Sequence, residues 1–91
     1  MKMFVIFVVV FAAAVNSSCV QYGIDYAGYD IQSISNSNHW SDCAGLCNDH
    51  QSCSYWTWNI AIKRCFLKHS KAGQRTVSHA ISGSQHCLSE C

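Results

Sequence analysis

Proline is missing from the chain, glycine occurs only 5 times in 91 residues, and charged side chains make up just 12%. Scarcity of both chain-breaking residues argues against disorder, and neither an internal repeat nor a low-complexity linker interrupts the sequence. Charge of one sign is also lacking: the formal net charge is +1, which gives no general reason to expect nucleic acid. Past the N-terminal leader, no stretch approaches the about 20 apolar residues that a spanning helix needs, so stable membrane insertion is not expected.

The leader itself is the first feature present. Lys2 precedes an uncharged run from Phe4 to Val15, followed by Asn16-Ser17-Ser18. An early cation, an apolar stretch and a small-residue exit are the parts of a secretory signal peptide, assigned here to residues 1–17. Cleavage suits the bond after Ala14 or the one after Ser17, whereas Asn16 disfavours cleavage after Ser18. The sequon Asn16-Ser17-Ser18 straddles this junction and is expected to be lost or too near the new terminus for use. Residues 19–91 then form one secreted, extracellular domain.

The second feature is cysteine, which occurs 7 times, from Cys19 to Cys91. A mature chain of about 75 residues is near the size at which a hydrophobic core alone is marginal. In an oxidising compartment bridges supply the deficit, each worth roughly 3 to 4 kcal/mol for loops of about 20 to 70 residues.

The few charges are unevenly placed. Asp25, Asp30, Asp42 and Asp49 come early, while Lys63, Arg64, Lys68, Lys71 and Arg75 crowd into one later segment. The plain reading is a solvated hairpin; the sharper one is a site for an anionic glycan or acidic partner, because alternate hairpin positions place cations on one side.

Aromatic and β-branched residues from Tyr22 to Ser33, broken at Ala27-Gly28, predict two short strands or one bent strand. Ser41 can cap a helix over Asp42 to Asp49, with Asp42 at the positive end of its dipole. Trp40, Cys43 or Ala44, and Cys47 recur at helical spacing and face the interior. The run from Cys53 to Trp58 alternates large and polar side chains as a strand does, so Trp56 and Trp58 share a face. Residues 64–68 read as the return strand of a hairpin and Thr76 to Ser82 as a last strand. The fold class is α+β: a small disulfide-stapled domain with one helix on a short antiparallel sheet.

Cys43, Cys47, Cys53 and Cys65 admit three pairings. A Cys43 to Cys47 bond would leave the helix unanchored, which disfavours one of them and leaves the other two open.

Taken in order, Ala27-Gly28-Tyr29-Asp30-Ile31, Asp42-Cys43-Ala44-Gly45-Leu46-Cys47, Cys53-Ser54-Tyr55-Trp56-Thr57-Trp58-Asn59, Cys65-Phe66-Leu67-Lys68 and Ile81-Ser82-Gly83 resemble the PAN/Apple domain family over essentially the whole mature chain. The resemblance implies nested bridges, Cys43 to Cys65 and Cys47 to Cys53, with the Apple-type third bridge falling on Cys19 and Cys87. It also implies that Trp56 is a core aromatic. Cys91 departs from the pattern; it competes for Cys19, stays free, or links two chains into a dimer.

Zinc is the rival use of such residues, with His39, His50, His69, His79 or His86 as further ligands. No Cys-x-x-Cys pair is present, however, and secretion oxidises thiols, so neither metal nor cofactor is expected. No Gly-x-Ser-x-Gly elbow or paired carboxylates suggest an enzyme. The resemblance implies a binding module for an extracellular protein or carbohydrate. The alternatives are a secreted inhibitor or toxin-like effector against a host protease, collagen or receptor surface, and a matrix component cross-linked through Cys91.

Overall fold

The computed structural model describes residues 19–88, so the expected leader and Cys91 lie outside the described residues. Five strands and one helix follow one another as β1 (Val20–Tyr26), β2 (Asp30–Ile34), α1 (Trp40–Asp49), β3 (Tyr55–Asn59), β4 (Arg64–Lys68) and β5 (Gln74–Ser84). The strands form one sheet in the order β1-β5-β3-β4-β2, with antiparallel neighbours throughout. This is the α+β architecture of one helix on an antiparallel sheet.

Period-two alternation assigns the faces of β3. Trp56 and Trp58 enter the core with Trp40, Cys43, Ala44 and Cys47 of α1, together with Cys65, Leu67 and Ile81. Trp40 stacks on Trp56 with ring centroids 5.7 Å apart. Both core indoles of β3 find partners for their N–H groups: Trp56 Nε1 donates to Ser84 O at 2.8 Å and Trp58 Nε1 to Ser37 O at 2.9 Å. That satisfaction is what lets such large amphipathic rings be buried. Gly83 lies so close beneath Trp56 that an added Cβ would come within 2.7 Å of the indole.

Three bridges tie the elements together. Cys43 joins Cys65, fixing α1 to β4, and Cys47 joins Cys53 just before β3. Cys19 joins Cys87 across the first and last described segments, with Cα atoms 5.7 Å apart.

The helix begins earlier than the Asp42 start expected from Ser41. His39 holds the cap, its Nδ1 accepting from Ser41 N at 3.1 Å, so Trp40 and Ser41 are already helical. An imidazole nitrogen reaches the same orphan N–H that a serine or aspartate oxygen would. His39→Ala is expected to destabilise the oxidised domain by about 1 kcal/mol, and His39→Asp by less. Urea denaturation followed by tryptophan fluorescence measures both; an alanine variant as stable as the parent would rule the cap out. β5 likewise runs longer than the Thr76 to Ser82 predicted, because Gln74 and Arg75 pair with Tyr26 and Asp25 of β1.

The second face of the sheet is partly covered by β1. Its register breaks between Tyr22 and Ile24, where Gly23 has φ +75°. Beyond that point Ser82 Oγ donates to Ile24 O at 2.6 Å and Tyr26 N donates to Thr57 Oγ1 at 3.2 Å. Tyr26 is buried edge-on against Tyr55, with centroids 5.7 Å apart. Burial, with Tyr55 adding to it, holds the Tyr26 phenol above its ordinary pKa range.

Candidate functional site

Beyond the register break, where β1 stays paired with β5 as an arm, a cleft of about 210 Å³ opens between this arm and the helix-free face. Thr57 and Asn59 of β3 and Phe66 and Lys68 of β4 alternate with the core residues and so line the cleft from the sheet. Asp25 and Asp30 contribute from β1 and β2, Gly28 from the turn between them, and Arg75 and His79 from β5.

Two ion pairs dominate its electrostatics, each set by strand register. Asp25 lies opposite Arg75, whose Nε and Nη2 both reach Asp25 Oδ2 at 3.0 Å. Asp30 lies opposite Lys68, with Lys68 Nζ 2.5 Å from Asp30 Oδ1. The Lys68 side chain is 4% exposed and that of Asp30 51%. A second acceptor for Lys68 is Gly28 O at 3.2 Å. Gly28 and Tyr29 both have left-handed backbone, φ +78° and +60°, in the turn that presents this carbonyl. Glycine adopts that conformation without strain, whereas for tyrosine it is uncommon and is held by surrounding structure. His69 N donating to Tyr29 O at 3.2 Å and the edge-on packing of their rings supply such support. The ammonium also lies 5.7 Å from the Phe66 ring centroid.

The arm is held down closely. Ala27 N donates to Gly73 O at 3.0 Å, and a Cβ on Gly73 would meet Ala27 O at 2.1 Å, a contact only glycine avoids. The cleft is therefore built by backbone pairing, not by side chains alone.

The five cations singled out from sequence are not one patch. Lys63 occupies the β3–β4 turn with φ +53°, and Arg64 donates to Ser33 Oγ at 3.0 Å. Arg64 pairs with Asn59 at one end of the hairpin, whereas Lys68 pairs with Tyr55 at the other, about 13 Å away at strand rise. Lys71 lies at that second end, 5.6 Å from the Tyr55 ring centroid. Only Lys68 and Arg75 enter the cleft, each already held by a carboxylate. Among the described residues, no group of three or more potential metal ligands is assembled.

Phe66, Asp25 and Asp30 were not singled out as site residues from sequence, and His79 was weighed only as a zinc ligand. The alternation of Trp56 and Trp58 with Thr57 and Asn59 marks a polar face, but no local signal reveals that β1 turns that face into a cleft.

The class these features define is a small disulfide-braced α+β module with a polar cleft on its helix-free face. A family model described as the PAN domain matches residues 24–68. The fold resembles the two N-terminal apple domains of Toxoplasma gondii microneme protein 4 at 26% identity and TM-score 0.66, covering 81% of this chain and 49% of that one. The chain thus spans about half the length of that two-domain fragment. Similar folds occur in TgMIC4-A5 in complex with lacto-N-biose (22% identity, TM-score 0.66, 74% of this chain and 96% of that one) and in a PAN module from Eimeria tenella (22%, 0.56, 85% and 90%). No curated protein matches the sequence significantly. The chain belongs to the PAN/Apple family.

Proposed function

We propose that the protein is a secreted recognition module, residues 1–17 being removed as a signal peptide and residues 19–91 forming the domain, and that its cleft holds a short neutral glycan. The observation that carries this is the pairing of cleft charges. Asp25 with Arg75 and Asp30 with Lys68 leave no net charge, yet crowd donors and acceptors beside the Phe66 ring. A polyhydroxylated, uncharged ring with one apolar face suits that set; an anion would have to compete with two resident carboxylates. An ammonium has three donors, and protein oxygens take two of those on Lys68, leaving a third for a ligand hydroxyl. The TgMIC4-A5 complex supports a sugar as the occupant, and the leader and bridges support secretion. An acidic ligand would have to rely on Lys63, Arg64 and Lys71, which are divided between the two ends of the hairpin. The PAN-domain match and the sugar complex of TgMIC4-A5 support binding as the role of the cleft.

Titration of the oxidised secreted protein with lacto-N-biose, followed by amide NMR, tests it. Saturable shifts confined to the backbone of Thr57, Phe66, Lys68 and His79 are expected, with a dissociation constant on the order of 1 mM. Phe66→Ala should weaken it at least about tenfold, the equivalent of about 1.4 kcal/mol. No shift with neutral disaccharides, or stronger binding of sulfated ones at the β3–β4 turn, would overturn the assignment.

A further inference from the structure

Outside the cleft, four of the five described charges that lack an ion-pair partner sort into two adjoining surfaces, Lys71 being the exception. Among the described residues the ion pairs are Asp25–Arg75 and Asp30–Lys68, which leaves Asp42, Asp49, Lys63, Arg64 and Lys71. Both free carboxylates are on α1, seven residues apart and hence on one face, with Leu46 between them. That face borders a groove between α1 and the segment after β2, lined by Asp42, Gly45, Leu46, Asp49 and Ile34. Two of the three free cations, Lys63 and Arg64, stand at the β3–β4 turn beside Ile60 and Ile62, which are 42% and 57% exposed. Asn59 Oδ1 accepts from Ala61 N and Ile62 N at 2.9 and 3.3 Å, so the turn is a preformed tip. Groove and tip touch: Ser37 N, in the groove wall, donates to Lys63 O at 2.9 Å.

We propose that this composite surface is a self-association site whose occupant is a second copy of the chain, related by a two-fold axis. A tip of exposed isoleucines with cations complements a groove that offers Leu46 and Ile34 among serines and asparagine and is flanked by carboxylates, and because both halves adjoin on one molecule, a single rotation seats each tip in the other's groove. That reciprocity is the signature of an isologous contact. Leu46 and Ile34 meet Ile60 and Ile62, while Asp49 meets Lys63. An anionic membrane is the other occupant for a basic apolar tip, but Asp42 and Asp49 beside it oppose such docking. Asn59 borders both this interface and the cleft proposed for glycan, but the side chains proposed to meet across the interface are not those lining the cleft, so either can fail alone.

The test is sedimentation equilibrium of the oxidised secreted protein carrying Cys91→Ser, which removes any covalent dimer. A reversible dimer is expected, its dissociation constant rising about tenfold as NaCl is raised to about 0.5 M. Asp49→Lys alone and Lys63→Asp alone should each be monomeric, since each makes tip and groove alike in charge. Mixing the two variants should restore a dimer, and so should combining both changes in one chain. Aspartate tolerates the left-handed backbone of residue 63, and lysine suits the C-terminal turn of α1, so both variants should fold. A parent that stays monomeric at millimolar concentration, a dimer indifferent to both reversals, mixtures that do not reassociate, or binding to anionic vesicles without self-association would each overturn the proposal.

Discussion

Replacing Asp30 with alanine is expected to destabilise the domain by about 3 kcal/mol, several times the effect of replacing its partner by Lys68→Met. The asymmetry follows from where the two charges sit. The Lys68 side chain is 4% exposed, so loss of Asp30 leaves a buried ammonium with Gly28 O as its remaining protein acceptor. Asp30 is 51% exposed, so without Lys68 its carboxylate turns to water. Methionine meanwhile keeps an unbranched apolar stem beside Phe66. Removing one partner of a buried pair is severe chiefly when the survivor cannot be solvated, and only one of these two survivors meets that condition. Urea denaturation of both variants under oxidising conditions, monitored by tryptophan fluorescence, reads the difference. Equal losses, or the larger loss on the lysine side, would show that the cleft does not hold Lys68 as described.

A second large effect is expected from the bridge between α1 and β4. Chain entropy ranks the three bridges by loop length: separations of 68, 22 and 6 give about 4, 3 and 2 kcal/mol for Cys19–Cys87, Cys43–Cys65 and Cys47–Cys53. Packing changes that order. Cys43 and Cys65 are both fully buried within the core, whereas Cys19 is exposed. Truncating both core cysteines to alanine adds a cavity term of about 1 to 2 kcal/mol, bringing the total to about 5. That equals the lower end of the net stability of a typical domain, so the Cys43→Ala, Cys65→Ala variant should be largely unfolded at 37 °C. Cys47 and Cys53 are buried in the same core and incur the same cavity term, so the Cys47→Ala, Cys53→Ala variant should lose about 3 to 4 kcal/mol, less than the first pair by the difference in loop length, and retain more folded protein. Thermal unfolding by near-ultraviolet circular dichroism separates them, and non-reducing peptide mapping at low pH checks the connectivity. A dominant Cys43 to Cys47 peptide would refute the pairing on which the ranking rests.

Much of the frame is legible because it is local. Trp40, Cys43, Ala44 and Cys47 show helical spacing, and the alternation through Trp56 and Trp58 marks a strand with one core face. The break at Ala27-Gly28 separates β1 from β2. Even the early carboxylates and late cations carry topological information, since antiparallel pairing of β1 with β5 and β2 with β4 sets Asp25 against Arg75 and Asp30 against Lys68. Lys68 shows why the cleft is harder to read. In sequence it is one of several spaced cations and invites a surface assignment; its burial depends on the left-handed turn at Gly28 and Tyr29 meeting β4 from 40 residues away. The irregular register of β1 after Gly23 is equally tertiary, because Ile24 O and Tyr26 N answer to hydroxyls on Ser82 and Thr57.

The Cys19–Cys87 bridge has a mechanical consequence. A pull applied through the segments flanking the domain enters at one of these residues and leaves at the other, across Cα atoms only 5.7 Å apart. Tension therefore passes through a covalent bond and bypasses the sheet, so the cleft keeps its shape under shear. Reduction would remove that bypass and load Val20 against Gly83, the adjoining rung of the ladder. Once those strands part and the two inner bridges are reduced as well, the 68-residue separation between Cys19 and Cys87 can pay out to about 230 Å. The same bond that closes the domain thus makes it a nearly inextensible link in an oxidising medium and a long, yielding one in a reducing medium.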